Sequence, residues 1–409
     1  MKFERRGSKM KISGIICEYN PFHNGHIYHI DQTRRNGATH IVAVMSGNFV
    51  QRGDTAIMDK FERAKLAVRS GADLVIELPV QYCLSSAENF AAGGVHILNS
   101  LGVVDELSFG SECGDIVRLR KALDITSEAA ETHSEGIKQI MEKGYTYPRA
   151  LNSVVNGLDP RIGAIISEPN NLLAIEYMKA LEKSGSAIVP FTVKRQSASH
   201  DSEVPEDEFA SASYIRKKII EERDISSVRR YLPFMWAEEI AAAYKSGNIA
   251  SLKRLERVML YKVRTSSPEE IAEVYDVAQG LEYRIAGAKF ADSLEELLFT
   301  VKNKRYTMAR IRRIILSLLI GIKKDDMDVL PPYGRILAFN ERGREVLAAS
   351  KSKAKIPFAV SIAKLAETSP AARRFAELEI RASDIYGLAL GAINSAQKDY
   401  RAKIMIDME

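Results

Sequence analysis

The chain has 409 residues, of which 46% are hydrophobic and 27% are charged, a balance typical of a globular protein with two or three domains. Its apolar runs are shorter than a membrane span, which needs about 18 residues, and the N-terminal MKFERRGSK has no apolar core, so we expect neither a membrane protein nor a signal peptide. The net charge is +5 and the three cysteines are far apart in sequence, which argues against a disulfide framework or a zinc site and favours free thiols in the reducing cytoplasm.

Short apolar runs alternate with amphipathic stretches over the first half of the chain. Runs rich in β-branched residues and separated by helices are typical of a parallel sheet that is covered on both faces. We therefore predict an α/β fold with a doubly wound parallel sheet, in which ligands bind at the carboxyl ends of the strands. The five predicted strands are ISGIIC (12–17), HIVAVMSG (40–47), DLVIELP (73–79), ELSFGSE (106–112) and SAIVPFTVKR (186–195).

The pattern changes to helices after Ser211, where apolar residues recur near a period of 3.6. Residues 211–409 hold 35 Lys and Arg against 26 Asp and Glu, a net charge of +9, whereas the remainder holds 23 against 27, a net charge of −4. A basic half favours a polyanionic partner, although solvated helices can acquire such an imbalance by chance. We predict a catalytic domain at 10–225, a mostly helical, basic domain at 226–409, and an extension outside the fold at 1–9.

The stretch EYNPFHNGH follows the first predicted strand directly. Pro21 fixes the backbone there, and Gly25 permits a close approach at the turn into the next helix. The free N–H groups at the start of that helix favour phosphate, and His23 and His26 could both donate a ring N–H to it as catalytic groups. The alternative is a surface turn with incidental histidines. However, four of the seven histidines, including His29 and His40, lie within 18 residues, which favours a functional site.

The motif PFHNGH is similar to the H-x-G-H signature of the nucleotidyltransferase superfamily, whose fold is Rossmann-like. The surrounding stretches closely resemble the bacterial tRNA(Met) cytidine acetate ligase family, and this resemblance covers nearly the whole chain from Met10. The stretches that carry it are EYNPFHNGHIYHI, VAVMSGNFVQRGDTAIMDKFERAKLA, GADLVIELP, SFGSE, EPNNLLAIEY, SASYIR, RYTMARIRR, GRILAFNERGREVL and ASDIYGLAL.

The resemblance implies a ligase that activates acetate with ATP to acetyl-adenylate and then acetylates N4 of the wobble cytidine of elongator tRNA(Met). It implies ATP, acetate and tRNA as partners, Mg²⁺ accompanying ATP, no tightly bound prosthetic group, no protein metal site, and neither DNA nor a membrane. Glu18 stands where adenylyltransferase relatives commonly carry a small hydroxyl residue, which favours the acetate ligase branch. The implied ATP-binding residues are Ile16, Cys17, Glu18, Tyr19, Asn20, Pro21, Phe22, His23, Asn24, Gly25, His26, Ile27, Tyr28, His29, Gly110, Asn171 and Arg195.

Three of these residues also have simpler interpretations. Gly110 ends a predicted strand where a backbone could approach an adenine ring, but it could be an ordinary turn glycine. Asn171 could bind a ribose hydroxyl or cap the following helix. Arg195 lies on the expected ligand edge and suits a phosphate, but it could form a surface salt bridge.

SASYIRKK opens a predicted helix with Ser211 or Ser213 as its N-cap. It resembles the second phosphate-binding signature of the superfamily, so we expect Ser213 in the ATP site and Arg216 or Lys217 on the β- and γ-phosphates, with Arg216 also counted as catalytic. The alternative is an ordinary capped helix with a basic face. His200 and Asp201 lie in a polar stretch that could form a flap over the site.

KNKRYTMARIRR has six basic residues and no acidic ones. We predict that it binds RNA phosphates and that Tyr306 stacks on a base; a solvated basic helix is the alternative. A second basic stretch follows at 351–355. The predicted RNA-binding residues are Lys302, Lys304, Arg305, Arg310, Arg312 and Arg313.

Two other functions are compatible with parts of this pattern. A small-molecule adenylyltransferase would explain PFHNGH but not the basic helical half. A non-catalytic RNA-binding protein with a relic nucleotide fold would explain the charge but not both histidines together with Arg195 and Arg216.

Overall fold

The computed structural model describes residues 10–196, 208–278, 280–402 and 404–407. The predicted extension at 1–9 and the predicted flap residues His200 and Asp201 lie outside these ranges.

The described residues contain ten strands, and eight of them form one sheet with the order β10-β8-β5-β2-β1-β6-β7, to which β9 adds through β8. All five predicted strands are present and run parallel to one another, so the predicted α/β class is confirmed. The strands are β1 (Ile12–Cys17), β2 (His40–Ser46), β3 (Phe49–Val50), β4 (Asp54–Thr55), β5 (Leu74–Leu78), β6 (Glu106–Ser111), β7 (Val189–Lys194), β8 (Gly334–Asn340), β9 (Phe358–Ala359) and β10 (Met405–Asp407).

Helices cover both faces of the sheet and make up most of the chain after residue 211. In the first half they are α1 (Asn24–Arg35), α2 (Lys60–Arg69), α3 (Val80–Cys83), α4 (Ala87–Ser100), α5 (Ile116–Thr132), α6 (Ser134–Glu142), α7 (Tyr147–Leu158), α8 (Pro160–Ser167) and α9 (Pro169–Lys183). In the second half they are α10 (Ala212–Ile220), α11 (Phe234–Lys245), α12 (Glu256–Thr265), α13 (Pro268–Ala272), α14 (Leu281–Gly287), α15 (Leu294–Val301), α16 (Met308–Ile320), α17 (Glu341–Ser350), α18 (Ile362–Ala366), α19 (Pro370–Leu388) and α20 (Lys398–Arg401).

The sheet crosses the boundary that we predicted at residues 225 and 226. β8 pairs antiparallel with β5, with Glu77 opposite Arg335, and β9 and β10 pair with β8. The second half is therefore mostly helical, but it also completes the sheet of the first half. The apolar run of β8 is short and lies among helices in sequence, so periodicity alone gave no signal for its distant partner.

An inserted arm and a hairpin are two further features of the fold. Helices α5 to α8 form the arm, which lies in the connection from β6 to β7, before α9. The β3–β4 hairpin packs its buried Phe49 into the apolar core of the second half, which includes α12 to α16. The edge of the sheet where β1 ends is thus enclosed by both halves of the chain. None of the helices in the described part is long and apolar enough to cross a membrane.

Candidate active site

A cavity of about 220 Å³ opens at the carboxyl ends of β1, β6 and β7. β1 lies between β2 and β6, so the chain leaves it toward one side and adds later strands on the other. A parallel sheet forms a crevice at such a reversal, because the loops after adjacent strands diverge. The cavity therefore lies where the fold class predicts a ligand.

His23 and His26 form the floor of the cavity at the start of α1. His23 is the N-cap, and its Nδ1 accepts the N–H of Gly25 at 3.1 Å. His26 Nδ1 accepts the N–H of His23 at 3.1 Å, and the two ring centroids are 4.0 Å apart. An imidazole whose Nδ1 accepts carries its proton on Nε2 when it is neutral. The capping box thus fixes both rings as Nε2–H donors.

Gly25 is required by this packing. A Cβ at position 25 would lie 2.9 Å from Cε1 and 3.0 Å from Nδ1 of the His23 ring, so any side chain there would displace the histidine. The glycine of the motif thus serves the histidine that precedes it.

Burial keeps two of the histidines neutral. It lowers the pKa of His26 well below its usual value, with His23 and Arg195 adding to the effect. It also lowers the pKa of His29 to about 4, again with Arg195 nearby. His29 Nε2 lies 2.9 Å from Oγ of Ser108, which holds its ring in place. At neutral pH these rings can donate hydrogen bonds without contributing positive charge of their own.

Glu18 lies in the cavity wall next to three arginines. Burial raises the pKa of its carboxyl, whereas the N–H of Gln51 and the charges of Arg216, Arg52 and Arg63 lower it. Glu18 Oε1 accepts the N–H of Gln51 at 2.7 Å, so the side chain ties the β1–α1 loop to the β3–β4 hairpin.

Arg63 forms hydrogen bonds with the backbone of loops at the same edge of the sheet. Its side chain is fully buried and donates to the carbonyl oxygens of Glu18 at 2.5 Å, Met58 at 2.9 Å and Ser46 at 3.0 Å. Three loops at the end of the sheet thus share one guanidinium. This residue was missed by sequence reasoning because its partners are backbone atoms of distant segments.

Arg216 reaches the cavity from α10. Ser211 is the N-cap of that helix and accepts the N–H of Tyr214 at 3.1 Å, which decides between the two predicted caps. Arg216 Nη1 donates to the carbonyl oxygen of Asn20 at 2.6 Å and Nη2 to Ser213 Oγ at 3.4 Å. Burial lowers the pKa of Arg216, an effect that Asp54 and Glu18 oppose, and the guanidinium keeps its charge because its usual pKa is above 12.

Arg52, in the hairpin, is a cavity residue that the sequence did not single out. Its Nη1 lies 3.4 Å from Ser213 Oγ. Together with Lys194, Arg195 and Arg216 it gives the described lining four cations against the single carboxylate of Glu18. Such an excess of positive charge fits a polyphosphate.

The structure brings most of the predicted ATP-binding residues together. Those that line the cavity are Ile16, Cys17, Glu18, Tyr19, Asn20, His23, Gly25, His26, Tyr28, His29, Gly110, Arg195, Ser213 and Arg216. Predicted residues outside the described lining are Pro21, Phe22, Asn24, Ile27, Asn171 and Lys217.

Two of these outer residues anchor the β1–α1 loop to other segments of the chain. Phe22 is buried and stacks on Trp236 with 5.3 Å between ring centroids. Asn24 Nδ2 donates to the carbonyl oxygens of Glu208 at 3.0 Å and Arg230 at 2.9 Å. Their assignment to ATP binding stays a prediction.

Asn171 is 2% exposed and fully engaged. Its Oδ1 accepts the N–H of Cys113 at 2.9 Å, and its Nδ2 donates to the carbonyl oxygen of Ile165 at 3.0 Å. Helix α9 begins at Pro169 with Glu168 as its N-cap, so Asn171 is not the cap that we considered. Its neighbour Asn170 lines the cavity instead.

The predicted RNA-binding stretch divides into two parts. In α16, Arg310 pairs with Asp276 at 2.9 Å, and Arg313 Nη1 donates to the carbonyl oxygen of Gln51 at 3.1 Å. Tyr306 is only 6% exposed, so it does not offer a base the open face that we expected. Lys302 and Lys304, just before α16, are exposed.

A protein-held metal finds no support among the described residues, where no group of three His, Cys, Asp or Glu side chains is placed to bind one. The described lining offers only the Glu18 carboxylate, and three arginines surround it. This donor set does not fit a resident divalent cation.

Comparisons with known proteins agree with this geometry. The family model HIGH Nucleotidyl Transferase matches residues 10–401. The tRNA(Met) cytidine acetate ligase of Thermoanaerobacter sp. (strain X514) is 41% identical over 400 residues, which cover 96% of this chain and 98% of the relative. That of Caldanaerobacter subterraneus subsp. tengcongensis is 42% identical over 388 residues, which cover 93% and 96%.

Solved structures agree as well. Crystal structures of Thermotoga maritima TmcAL, one apo and one bound with alpha-thio ATP, are 30% identical to this chain and cover 98% of it and 100% of their own chains. Their TM-scores are 0.92 and 0.89.

Proposed function

The chain belongs to the tRNA(Met) cytidine acetate ligase family of HIGH nucleotidyl transferases, and we propose that it joins acetate to N4 of the wobble cytidine of elongator tRNA(Met) at the expense of ATP. The reaction has two steps, through an acetyl-adenylate. An enzyme of this kind acts where tRNA is used, so we place it in the cytoplasm.

In the first step a carboxylate oxygen of acetate attacks the α-phosphorus of ATP, and pyrophosphate leaves. Acetate is already ionised at neutral pH, so the step needs no general base. The Nε2–H groups of His23 and His26 would donate to the phosphoryl oxygens as their charge grows. Arg216, held by Asn20 and Ser213, would bind the leaving pyrophosphate together with Arg52.

In the second step the cytidine amine attacks the acetyl carbonyl, AMP leaves, and the amine loses a proton. The amine is a weak nucleophile, so most of the acceleration must come from holding it against the acetyl group. Burial makes His26 and His29 weak bases, which favours positioning over base catalysis by these rings.

Mg²⁺ would arrive with ATP. Since the donor set does not fit a resident ion, the nucleotide's own phosphates would hold it, as is common for magnesium.

One observation carries this proposal: two tautomer-fixed histidines and four cations surround one cavity in a chain that is 41% identical to a tRNA(Met) cytidine acetate ligase. The test is ATP–pyrophosphate exchange with acetate and without RNA, followed by transfer of labelled acetate to transcribed elongator tRNA(Met). We expect exchange that depends on acetate, and transfer that depends on the cytidine. His133→Ala removes an exposed imidazole outside the cavity. As a control, this variant should show the same exchange as the parent.

The same experiment separates the rivals. A small-molecule adenylyltransferase would show no exchange with acetate and would need another co-substrate. A relic fold that only binds RNA would show no exchange at all. Either result would overturn the proposed function.

A further inference from the structure

The inserted arm and the start of the basic stretch meet at one place on the surface. Arg305 Nη2 donates to the carbonyl oxygen of Glu142 at 3.4 Å, at the end of α6. A Cβ at Gly144 would lie 3.9 Å from Cβ of Lys304. The turn between α6 and α7 therefore lies against the loop between α15 and α16, although about 160 residues separate them in sequence.

We call residues 143–149 and 302–305 together the arm–loop surface. It contains five basic residues and no acidic ones. Lys143, Arg149, Lys302 and Lys304 are exposed, so these charges face solvent. The exposed Glu142 borders the surface, so five cations lie beside one carboxylate. Closely spaced cations in such excess attract a polyanion.

Aromatic rings lie among these charges. The guanidinium of Arg149 is 4.6 Å from the ring centroid of Tyr145, and Tyr147 is 46% exposed although it is large and apolar. Exposed aromatic rings beside cations are typical of surfaces that bind unpaired nucleotides, because the ring stacks on a base while the cations hold the phosphates.

A single helix connects the arm–loop surface with the cavity. α16 begins at Met308, and Arg313, in its second turn, donates to the carbonyl oxygen of Gln51 in the cavity wall. Five residues of α-helix rise about 8 Å. The first two turns of α16 thus join the loop of the arm–loop surface to the wall of the cavity.

From these contacts we propose that the arm–loop surface is a tRNA-docking site in which the inserted arm contributes Lys143, Arg149 and a stacking ring at Tyr147. The proposal rests on the proposed function and extends it, because the arm belongs to the half of the chain with net negative charge, where composition gave no reason to expect RNA.

The test measures the affinity for elongator tRNA(Met) at several salt concentrations. Lys143→Ala with Arg149→Ala should flatten the log–log salt slope by roughly 1.4–1.8, since each phosphate contact contributes about 0.7–0.9. Acetate-dependent pyrophosphate exchange without RNA should not change. Lys183→Ala with Lys245→Ala is the matched control, because it removes two exposed charges elsewhere and should leave the slope as in the parent.

A second pair of variants tests the stacking ring. Tyr147→Ala should weaken tRNA binding about fivefold or more, whereas Tyr147→Phe should bind as the parent does, because only the ring face is needed. The salt slope should stay the same in both. If a melting curve shows that the alanine variants unfold, Lys143→Gln with Arg149→Gln provides the same charge change with longer side chains.

The outcomes distinguish the two proposals. Absence of acetate-dependent exchange in the parent would overturn the proposed function. A parent that exchanges and acetylates, with the Lys143 and Arg149 pair indistinguishable from the control pair, would overturn the docking site alone.

Discussion

The carboxyl edge of the sheet ends in two different ways. At β1 and β6 it opens into a cavity whose described lining has four cations and one carboxylate. At β5, where β8 pairs with it, the same edge is closed by five buried charged side chains of the protein itself. These form the edge cluster, which consists of Lys60, Glu77, Arg335, Glu379 and Asp399.

The edge cluster supplies its own counter-charges. Lys60 Nζ lies 2.6 Å from Glu77, 3.0 Å from Glu379 and 2.7 Å from Asp399, and Arg335 pairs with Glu77 and Asp399. The described cavity lining instead has an excess of positive charge, which suits a polyanionic ligand. The comparison indicates that buried charge serves cohesion where cations and carboxyl groups pair within the cluster, and favours ligand binding where cations are in excess.

The largest effect should come from breaking the edge cluster. Lys60→Met leaves three buried carboxyl groups around one arginine, and removing one member of a buried ion pair typically costs about 3–5 kcal/mol. We expect a loss of that size in the free energy of unfolding, measured by urea denaturation. Lys65→Met is the control on the same helix, since the Lys65 side chain pairs with the exposed Glu62 at 3.8 Å, and the change should cost less than about 1 kcal/mol. Equal losses in the two variants would show that the cluster contributes no cohesion.

Substitutions of the cavity histidines should instead affect the rate of catalysis. His23→Ala or His26→Ala should slow acetate-dependent pyrophosphate exchange by about 10²–10³, which is typical for the loss of one transition-state donor. His23→Asn separates capping from donation, because asparagine can still cap α1 but cannot place an N–H where Nε2 lies. It should be as slow as the alanine variant yet melt close to the parent. Exchange at the parent rate in His23→Asn would assign this histidine to the cap alone.

The two ends of the edge also differ in how far sequence could predict them. The cavity floor was predictable because one contiguous stretch holds the cap, the glycine and both donors, so its geometry is local. The edge cluster joins positions 60, 77, 335, 379 and 399, and no pattern around any one of them indicates the others. Arg52 and Gln51 were missed for the same reason, since the hairpin is held at the cavity by contacts with Glu18 and with α16, which are distant in sequence.

Arg313 was only partly predictable. The sequence singled it out as an RNA-binding residue, whereas the structure places it behind the cavity wall. It donates to Gln51, whose N–H in turn binds Glu18. Arg313→Ala should therefore reduce acetate-dependent exchange about tenfold or more, since a hydrogen bond to a charged group is worth about 1.5–3 kcal/mol. We expect most of the loss in the KM for ATP. Arg312→Ala removes the same charge but keeps the Cβ that packs against Gly53, and it should exchange normally. Similar exchange rates in the two variants would leave Arg313 as a predicted RNA-binding residue with no role at the cavity.

Per pH unit, the smallest effect concerns the protonation of the edge cluster. Burial raises the pKa of Glu379 to about 8, with Glu77 and Asp399 adding to the effect and Lys60 opposing it. An unfolded glutamate has a pKa near 4.3, so the folded protein holds one more proton than the unfolded chain between these two values. The stabilisation from this proton is complete below the lower value and is lost as the pH rises through the upper one, by at most about 1.4 kcal/mol per pH unit.

Glu379→Gln removes the titration but keeps an oxygen for the N–H of Val80, which Glu379 accepts at 2.9 Å. As the pH rises from about 5 to about 8, the unfolding free energy of the parent should therefore fall relative to that of the variant. Taking the difference cancels the opposite contribution of His29, whose folded pKa of about 4 lies below its usual value. A constant difference across this range would show that Glu379 is ionised in the folded protein and that the cluster carries a net negative charge.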